Sequence, residues 1–229
     1  GSESAIGKEN GTLTRSLAAD NSPYYETGVR LSYSSANKKW YTAVLLLNGW
    51  QRIQRVAGNH TPAFGTQVTF KPSDRVSINA STYVGSDQPD TARRMRYFHN
   101  LYSVIALNER LQLTLGLDAG REQKQPGSAS LYPWYSPVIL LRIKTTEALF
   151  VGVRGEQYSD RWGVILPKHN GQGYTISGCS SNVDWKLDQR VWWRLEGRWM
   201  KADAAVFQRQ DGNSDRENWS ASTALCFSF

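Results

Sequence analysis

Residues 110–120 of the chain, RLQLTLGLDAG, alternate between apolar side chains and small or polar ones with a period of two. In an extended strand the leucines lie on one face, and Asp118 lies on the opposite face. A soluble β-sandwich would bury the leucines in a protein core. A transmembrane β-barrel would turn them toward lipid and would turn Asp118 toward a water-filled lumen. One strand is compatible with both architectures, so the rest of the chain has to decide.

The composition excludes a bundle of membrane-spanning helices. Hydrophobic residues make up 40% of the 229 residues, and the mean hydropathy is −0.52. The longest apolar run, residues 43–47, is far shorter than the roughly 20 residues that a spanning helix needs. Spanning β-strands remain possible because alternation dilutes their apolar residues. The 9 Trp and 11 Tyr residues suit a water–membrane boundary, where an aromatic ring is half apolar and half wet.

The formal net charge of +7 does not indicate a nucleic-acid-binding protein. The basic residues are scattered along the chain instead of being grouped into a patch, which favours a solvated surface or lumen. The two cysteines, Cys179 and Cys226, are too few for a disulfide framework and are predicted to face opposite sides of their strands.

The same alternation predicts eleven strands. They cover residues 25–35, 40–50, 64–71, 76–85, 95–107, 110–120, 132–143, 148–158, 173–186, 191–200 and 219–229. Their connections alternate between about three to five and roughly nine to eighteen residues, as in barrels with tight periplasmic turns and long extracellular loops. A soluble sandwich has no reason to separate loop lengths in this way. In residues 40–50 we assign Tyr41, Ala43, Leu45 and Leu47 to the lipid-facing side.

We therefore predict an all-β fold, an antiparallel up-and-down transmembrane β-barrel, over residues 23–229. Residues 1–22 have no clean period and are interpreted as a loop or lumenal segment, with an extra strand over residues 11–19 as the alternative. Single-chain bacterial barrels have even strand counts. Either residues 11–19 form a twelfth strand, or the eleven strands belong to a larger barrel.

Several segments of the chain resemble a family of outer-membrane β-barrel porins widespread in Bacteroidota. The resemblance covers essentially the whole chain and is carried by ESAIGKEN, LTRSLAADNSPYYETG, LLLNGWQRIQRV, TPAFGTQVTFKPSD, MRYFHNLY and WYSPV. It implies that the chain is the C-terminal portion of a barrel of about sixteen strands. The chain departs from the family at Ser2, Gly11, Ser177, Cys179 and Ser181, where we expect large apolar residues. Three of these lie on the lipid-facing side of one predicted strand, which makes that side a candidate contact with another protein.

Charged residues gather on the side of the strands that is predicted to face the lumen. They are Arg30, Asp118, Arg142, Arg154, Glu156, Asp184, Arg194, Glu196 and Arg198. Such charges would cost several kcal/mol each in a protein core unless they were paired, whereas in a wet lumen they set the field that an ion crosses. Two interpretations follow: an ion-pair network that braces the wall, or a constriction with a weak anion preference.

Aromatic residues near predicted strand ends are candidates for the girdles at the two membrane interfaces. They are Trp40, Trp50, Tyr97, Trp219 and Phe229.

The three histidines do not indicate an enzyme. His60 and His169 fall in predicted loops, and His99 points to the opposite side of its strand from Asn100, so no nucleophile–base pair is evident. The sequence contains no metal-ligand spacing and no glycine-rich phosphate motif, so no cofactor is expected.

The sequence predicts a porin-like channel, integral to the bacterial outer membrane, for passive diffusion of small hydrophilic solutes or ions with a weak anion preference. Its predicted partners are the lipid bilayer with lipopolysaccharide and the solutes. The alternative is a structural barrel subunit that docks another outer-membrane protein.

Overall fold

A computed structural model describes residues 2–4 and 10–227. One short helix, α1 (Leu17–Asn21), precedes ten consecutive strands, a small loop hairpin and a final strand. The strands are β1 (Gly28–Ser34), β2 (Trp40–Leu47), β3 (Ala63–Ser73), β4 (Val76–Gly85), β5 (Arg96–Ala106), β6 (Leu111–Gln123), β7 (Leu131–Lys144), β8 (Leu149–Asp160), β9 (Tyr174–Lys186), β10 (Val191–Ala202), β11 (Phe207–Gln208), β12 (Ser214–Asp215) and β13 (Glu217–Phe227). A 3₁₀ turn, Asp90–Ala92, lies between β4 and β5. Among these residues, no helix is both long and apolar enough to cross a membrane.

The eleven long strands form one antiparallel sheet in which every strand pairs with its neighbours in sequence. The order is β1 to β10 followed by β13, while β11 and β12 pair only with each other. The connections at one end of the sheet are short, at residues 35–39, 74–75, 107–110, 145–148 and 187–190. Those at the other end are longer, at residues 48–62, 86–95, 124–130, 161–173 and 203–216. The predicted eleven strands and antiparallel meander are confirmed.

The two faces of the sheet have opposite chemistry. The outer face exposes large apolar side chains, among them Leu31, Leu117, Ile139, Val153 and Leu195. The inner face is the side of the sheet that carries Arg154, which is 0% exposed, together with its cross-strand partners Leu140 and Ser180. It carries buried polar and charged residues on strands whose outward neighbours are apolar, as the alternation in the sequence predicts.

Strand β2 is turned the other way from the prediction. Ala43 and Leu47 are buried on the inner face, whereas Val44 and Leu46 are exposed on the outer face. The sequence WYTAVLLL is apolar on both sides, so alternation does not distinguish them. The choice is made by packing, because Leu45 and Leu47 contact the inner aromatic cluster.

That aromatic cluster lies on the inner face near the long connections. Trp50 makes edge-on contacts with Tyr83 at 5.2 Å, Phe98 at 4.8 Å and Trp134 at 6.5 Å between ring centroids. Arg96 lies 5.3 Å from the Trp50 ring centroid. The assignment of Trp50 to an interfacial girdle is therefore wrong: its ring is packed inside, against side chains of three strands.

The other predicted girdle residues have different positions. Trp40 stacks on Phe70 at the short-turn end and is 45% exposed on the outer face. Tyr97 and Trp219 are exposed near the long-loop end. Phe229 lies outside the described residues. The role of the exposed three as interfacial aromatics stays a prediction.

Residues 10–21, called here the inner segment, add no strand to the sheet. Ser16 caps α1 by accepting a hydrogen bond from the Ala19 amide, and residues 10–16 have no ladder pairing. The twelfth strand suggested over residues 11–19 is thus wrong. Leu17, Ala18 and Ala19 are buried, and α1 packs against β7 and β8.

Candidate functional site

The inner segment is held to the inner face by hydrogen bonds from its backbone. The Leu13 amide donates to Asn182 Oδ1 at 3.0 Å, and the Thr14 amide donates to Glu196 Oε2 at 2.5 Å. The Leu17 amide donates to Glu156 Oε2 at 2.6 Å. The two bonds to carboxylates are the strong, charge-assisted kind, and the one from Leu17 satisfies a donor that would otherwise be buried without a partner.

Arg154 is the centre of this contact and is 0% exposed. Its guanidinium donates to Thr12 Oγ1 at 2.8 Å and to the Thr14 carbonyl at 2.7 Å. The same group forms ion pairs with Glu156 at 3.2 Å and with Glu196 at 3.1 Å. One arginine thus joins two wall carboxylates to the backbone and side chains of the inner segment.

A second arginine repeats the arrangement nearer the short-turn end. Arg194 forms two hydrogen bonds with Asp184, at 2.6 and 3.1 Å, and donates to the Asn10 carbonyl at 2.9 Å. Arg142 lies 3.4 Å from the same carboxylate. The Asn182 amide also donates to Asp184, at 2.6 Å.

Carboxylates and guanidiniums alternate within each of two ion-pair clusters. Glu156 lies between Arg154 and Arg198, whose Nη2 is 2.8 Å away, while Asp184 lies between Arg142 and Arg194. Isolated charges at this depth would cost several kcal/mol each, so each one needs its oppositely charged neighbours.

Two glycines allow the inner segment to lie directly against the wall. A Cβ atom at Gly152 would come within 2.5 Å of the Gly11 carbonyl oxygen. A Cβ atom at Gly11 would come within 2.6 Å of Leu140 Cδ2. The small residue at position 11, which departs from the apolar pattern expected there, is therefore explained by this close approach.

The structure brings together seven of the nine predicted lumen residues. They form two ion-pair clusters beneath the inner segment, Arg142–Asp184–Arg194 and Arg198–Glu156–Arg154–Glu196. The ion-pair arrangement proposed from the sequence is present, while a role in lining a solute path stays a prediction. Arg30 and Asp118 lie apart from it and line a separate cavity.

The contact between these charges and the inner segment was not predicted from the sequence. Thr12, Thr14 and Ser16 are polar at every second position, and the first and last of them are buried. This short alternation was the available signal, but Arg15 and the following helix interrupt it. Nothing in the sequence indicates which strands such a segment would contact.

The separate cavity has a volume of about 450 Å³ and lies beside β1. Residues 22–30 form one side of it, and the inner face of β2 to β6 forms the other. Asp118 is buried there and accepts a hydrogen bond from the Asn100 side-chain amide at 2.6 Å.

Asp90 joins two of the long connections, 48–62 and 86–95. Its carboxylate accepts from Arg93 at 2.6 Å and lies 3.0 Å from His60 Nδ1, and Arg93 also donates to Thr61 at 2.7 Å. The hydrogen bonds from Arg93 and His60 lower the pKa of Asp90 from 3.8 to about 2.

We expect acid to loosen this loop contact. Because the folded pKa of Asp90 lies below its unfolded value, its contribution is fully present above about pH 4 and is lost as the pH falls through about 2. The protection of residues 58–61 from hydrogen exchange, relative to the intrinsic exchange rate at each pH, should therefore decrease between pH 4 and pH 2. Asp90→Asn should show the faster exchange already at pH 7, with Asp188→Asn, in a short turn, as the control; equal exchange in all three proteins would contradict this assignment.

The histidines lie apart from one another. His99 is exposed on the outer face of β5, opposite Ala119, and His169 pairs with Gln172 in the connection 161–173. Within residues 2–4 and 10–227, no group of three or more His, Cys, Asp or Glu side chains could hold a metal ion.

An antiparallel meander with an apolar outer face, a charged inner face and loops separated by length is the architecture of outer-membrane porins. The family model described as "Putative beta-barrel porin-2, OmpL-like" matches residues 1–229. The chain belongs to this family. It is an integral outer-membrane protein, and the family is one of channels rather than enzymes. No curated protein sequence matches the chain.

Three solved structures share the fold at low identity. The anion-selective porin from Comamonas acidovorans has a TM-score of 0.68 and 9% identity, covering 92% of this chain and 65% of that one. The outer membrane channel DcaP of Acinetobacter baumannii has a TM-score of 0.60 and 12% identity, covering 87% and 61%. OmpT, an outer membrane protein of Vibrio cholerae, has a TM-score of 0.55 and 8% identity, covering 87% and 63%. The chain thus spans less than two thirds of each structure.

Proposed function

We propose that the chain forms the wall of an outer-membrane channel for passive diffusion of small hydrophilic solutes and ions. The observation that carries this proposal is the opposite chemistry of the two faces, with leucine, valine and isoleucine exposed on one and arginine and carboxylate on the other. Exposed apolar side chains are stable against acyl chains, and charged ones are stable against water. The inner segment would narrow the path, because it occupies the inner face of β8 to β10.

A weak anion preference follows from which arginines keep access to water. Arg154 and Arg194 are buried and neutralised by carboxylates. Arg30 is exposed on the inner face of β1, and the side chains of Arg142 and Arg198 are 24% and 10% exposed. These three guanidiniums would set the sign of the field in the lumen.

The complete barrel would contain more strands than the eleven described. β1 and β13 each have one edge without a partner among the described strands, and free backbone groups are costly in lipid. The segments quoted above support an origin in Bacteroidota and a place in the C-terminal portion of a barrel of about sixteen strands, which would leave an aqueous pore.

A structural subunit that docks another outer-membrane protein is the second candidate. Ser177, Cys179 and Ser181 lie on the outer face of β9, where lipid would favour large apolar side chains. A polar stripe there is compatible with a protein neighbour, and lipopolysaccharide remains the expected partner of the rest of the outer surface near the long loops.

Single-channel recording in planar bilayers separates the two candidates. We expect the complete barrel, refolded with the further strands proposed above, to produce discrete conducting steps in potassium chloride. Protein that is folded, as judged by its β-sheet circular dichroism and resistance to proteolysis, yet never conducts would overturn the channel proposal and favour the structural one.

Reversing one exposed charge should change ion selectivity. In a potassium chloride gradient, Arg30→Glu should shift the zero-current potential toward cation preference, because Arg30 is exposed and no ion pair neutralises it among the described residues. Arg121→Glu, exposed on the outer face of β6, is the matched control and should leave the potential unchanged. Equal zero-current potentials for wild type and Arg30→Glu would show that Arg30 does not influence the ion path.

A further inference from the structure

The cavity beside β1 has the size of a small-molecule site. Its volume of about 450 Å³ falls within the roughly 300–1,000 Å³ of small-molecule sites. Residues 22–26, which link α1 to β1, cover it on one side, and five strands of the inner face form the other. The cavity is separate from the arginine network, which lies under the inner segment on β7 to β10.

Four polar side chains form one wall of this cavity at a single level of the sheet. Gln67, Ser81, Asn100 and Asp118 are direct cross-strand partners on β3, β4, β5 and β6. Asn100 donates to Asp118 Oδ1 at 2.6 Å, which orients the carboxylate. Cross-strand hydrogen bonding thus fixes this row before any ligand binds.

A fully buried asparagine holds the other half of the row. Asn79 is 1% exposed, accepts from the Gln67 side-chain amide at 3.0 Å and donates to Ser81 Oγ at 3.0 Å. The Ser81 hydroxyl therefore keeps its own proton to donate, and the Asp118 carboxylate keeps acceptor capacity beyond its bond to Asn100. The row offers both donors and acceptors to the cavity.

Apolar and aromatic side chains form the remaining wall. Leu45, Tyr83 and Phe98 contribute from the inner face, while Tyr24 and Tyr25 contribute from the linking residues. Tyr24 and Tyr25 are 56% and 44% exposed, so their rings are accessible to a ligand. Arg15 lies over the Tyr24 ring at 4.4 Å and supports it.

The charges around the cavity favour a neutral ligand. Asp118 and Glu26 place carboxylates on opposite sides, and Arg30 is the one cationic side chain among the cavity-lining residues described. An anion would be repelled by both carboxylates, and a cation would be repelled by Arg30. A neutral molecule rich in hydroxyl groups avoids both costs and can donate to carboxylate and amide oxygens.

We propose that this cavity is a binding site for a neutral carbohydrate of about disaccharide size. Hydroxyl groups of the sugar would bind the Gln67–Ser81–Asn100–Asp118 row, and its apolar C–H face would pack on the tyrosines and Phe98. The proposal rests on the proposed channel function, since it gives the lumen a site that a permeating solute occupies.

Current block by maltose tests the site. Maltose at millimolar concentration should reduce the open-channel current of the wild-type protein in a saturable way. Asp118→Asn and Tyr25→Ala should each raise the half-blocking concentration at least about tenfold, the change expected when a charged hydrogen-bond partner or a stacking ring is lost. The matched controls are Asp74→Asn, in a short turn, and Tyr33→Ala, on the outer face of β1. Both should have the half-blocking maltose concentration of the wild-type protein.

Two results would refute the carbohydrate site, and both can be distinguished from a failure of the proposed channel function. Channels that conduct but show no saturable block by maltose would refute the carbohydrate site and leave the channel function standing. Equal block in wild type and in both cavity variants would place maltose elsewhere. If no protein conducts, calorimetric titration of detergent-folded protein with maltose tests the site alone. A dissociation constant that Asp118→Asn raises at least about tenfold supports the site, and no heat from the wild-type protein refutes it.

Discussion

Arg154→Ala is expected to release the inner segment and to destabilise the folded chain by about 3–5 kcal/mol, the cost of breaking a buried ion pair on one side. The side chain of Arg154 is 0% exposed, and its removal takes the ion-pair partner from Glu196 and one of two arginine partners from Glu156. Thr12 and the Thr14 carbonyl lose their donor at the same time. Denaturant titration of tryptophan fluorescence in detergent micelles measures the change.

The matched control is Arg121→Ala, because Arg121 is exposed on the outer face of β6. Its effect should stay within about 0.5 kcal/mol, as for other surface substitutions. A combined variant, Arg154→Met with Glu196→Gln, removes the carboxylate that is left without a cation, while Glu156 keeps its ion pair with Arg198. It should recover part of the lost stability. If Arg154→Ala and Arg121→Ala unfold at the same denaturant concentration, the network does not hold the inner segment.

Gly152→Val should displace the inner segment without breaking any ion pair. A Cβ atom at this position would lie 2.5 Å from the Gly11 carbonyl oxygen, a backbone atom that moves only if the segment moves. We expect a loss of stability of about 1–3 kcal/mol, typical of overpacking, together with a larger single-channel conductance. The conductance increases because residues 10–16 no longer lie against the inner face.

A glycine on the outer face provides the control for this substitution. A Cβ atom at Gly197 would have no heavy atom of the described residues within 4 Å, so Gly197→Val should leave the conductance unchanged. In a variant that lacks residues 10–21, Gly152→Val should have no further effect, since the atom it would contact is gone. Unchanged conductance in Gly152→Val would show that the inner segment does not narrow the path.

The candidate site was partly predictable because charged residues two positions apart in a strand lie on the same face of the sheet. Arg154 and Glu156 share one face of β8, and Arg194, Glu196 and Arg198 share one face of β10, by strand alternation alone. Both strands pair with β9, which places these charges on the same face of the sheet one strand apart, so a cluster of opposite charges follows. That these charges are buried could not be predicted, because burial depends on a segment that reaches them from far away in the sequence.

The sequence by itself determined the strands, their antiparallel order and the chemistry of most faces, because period-two alternation and loop length are local properties of the chain. The tertiary structure decided three things that local pattern leaves open. It turned β2 so that Leu47 packs inside, it buried Trp50 against Tyr83 and Phe98, and it laid residues 10–21 on the charged wall. Each depends on contacts between residues distant in sequence, where apolar side chains can be buried on either face and only the packing partner selects one.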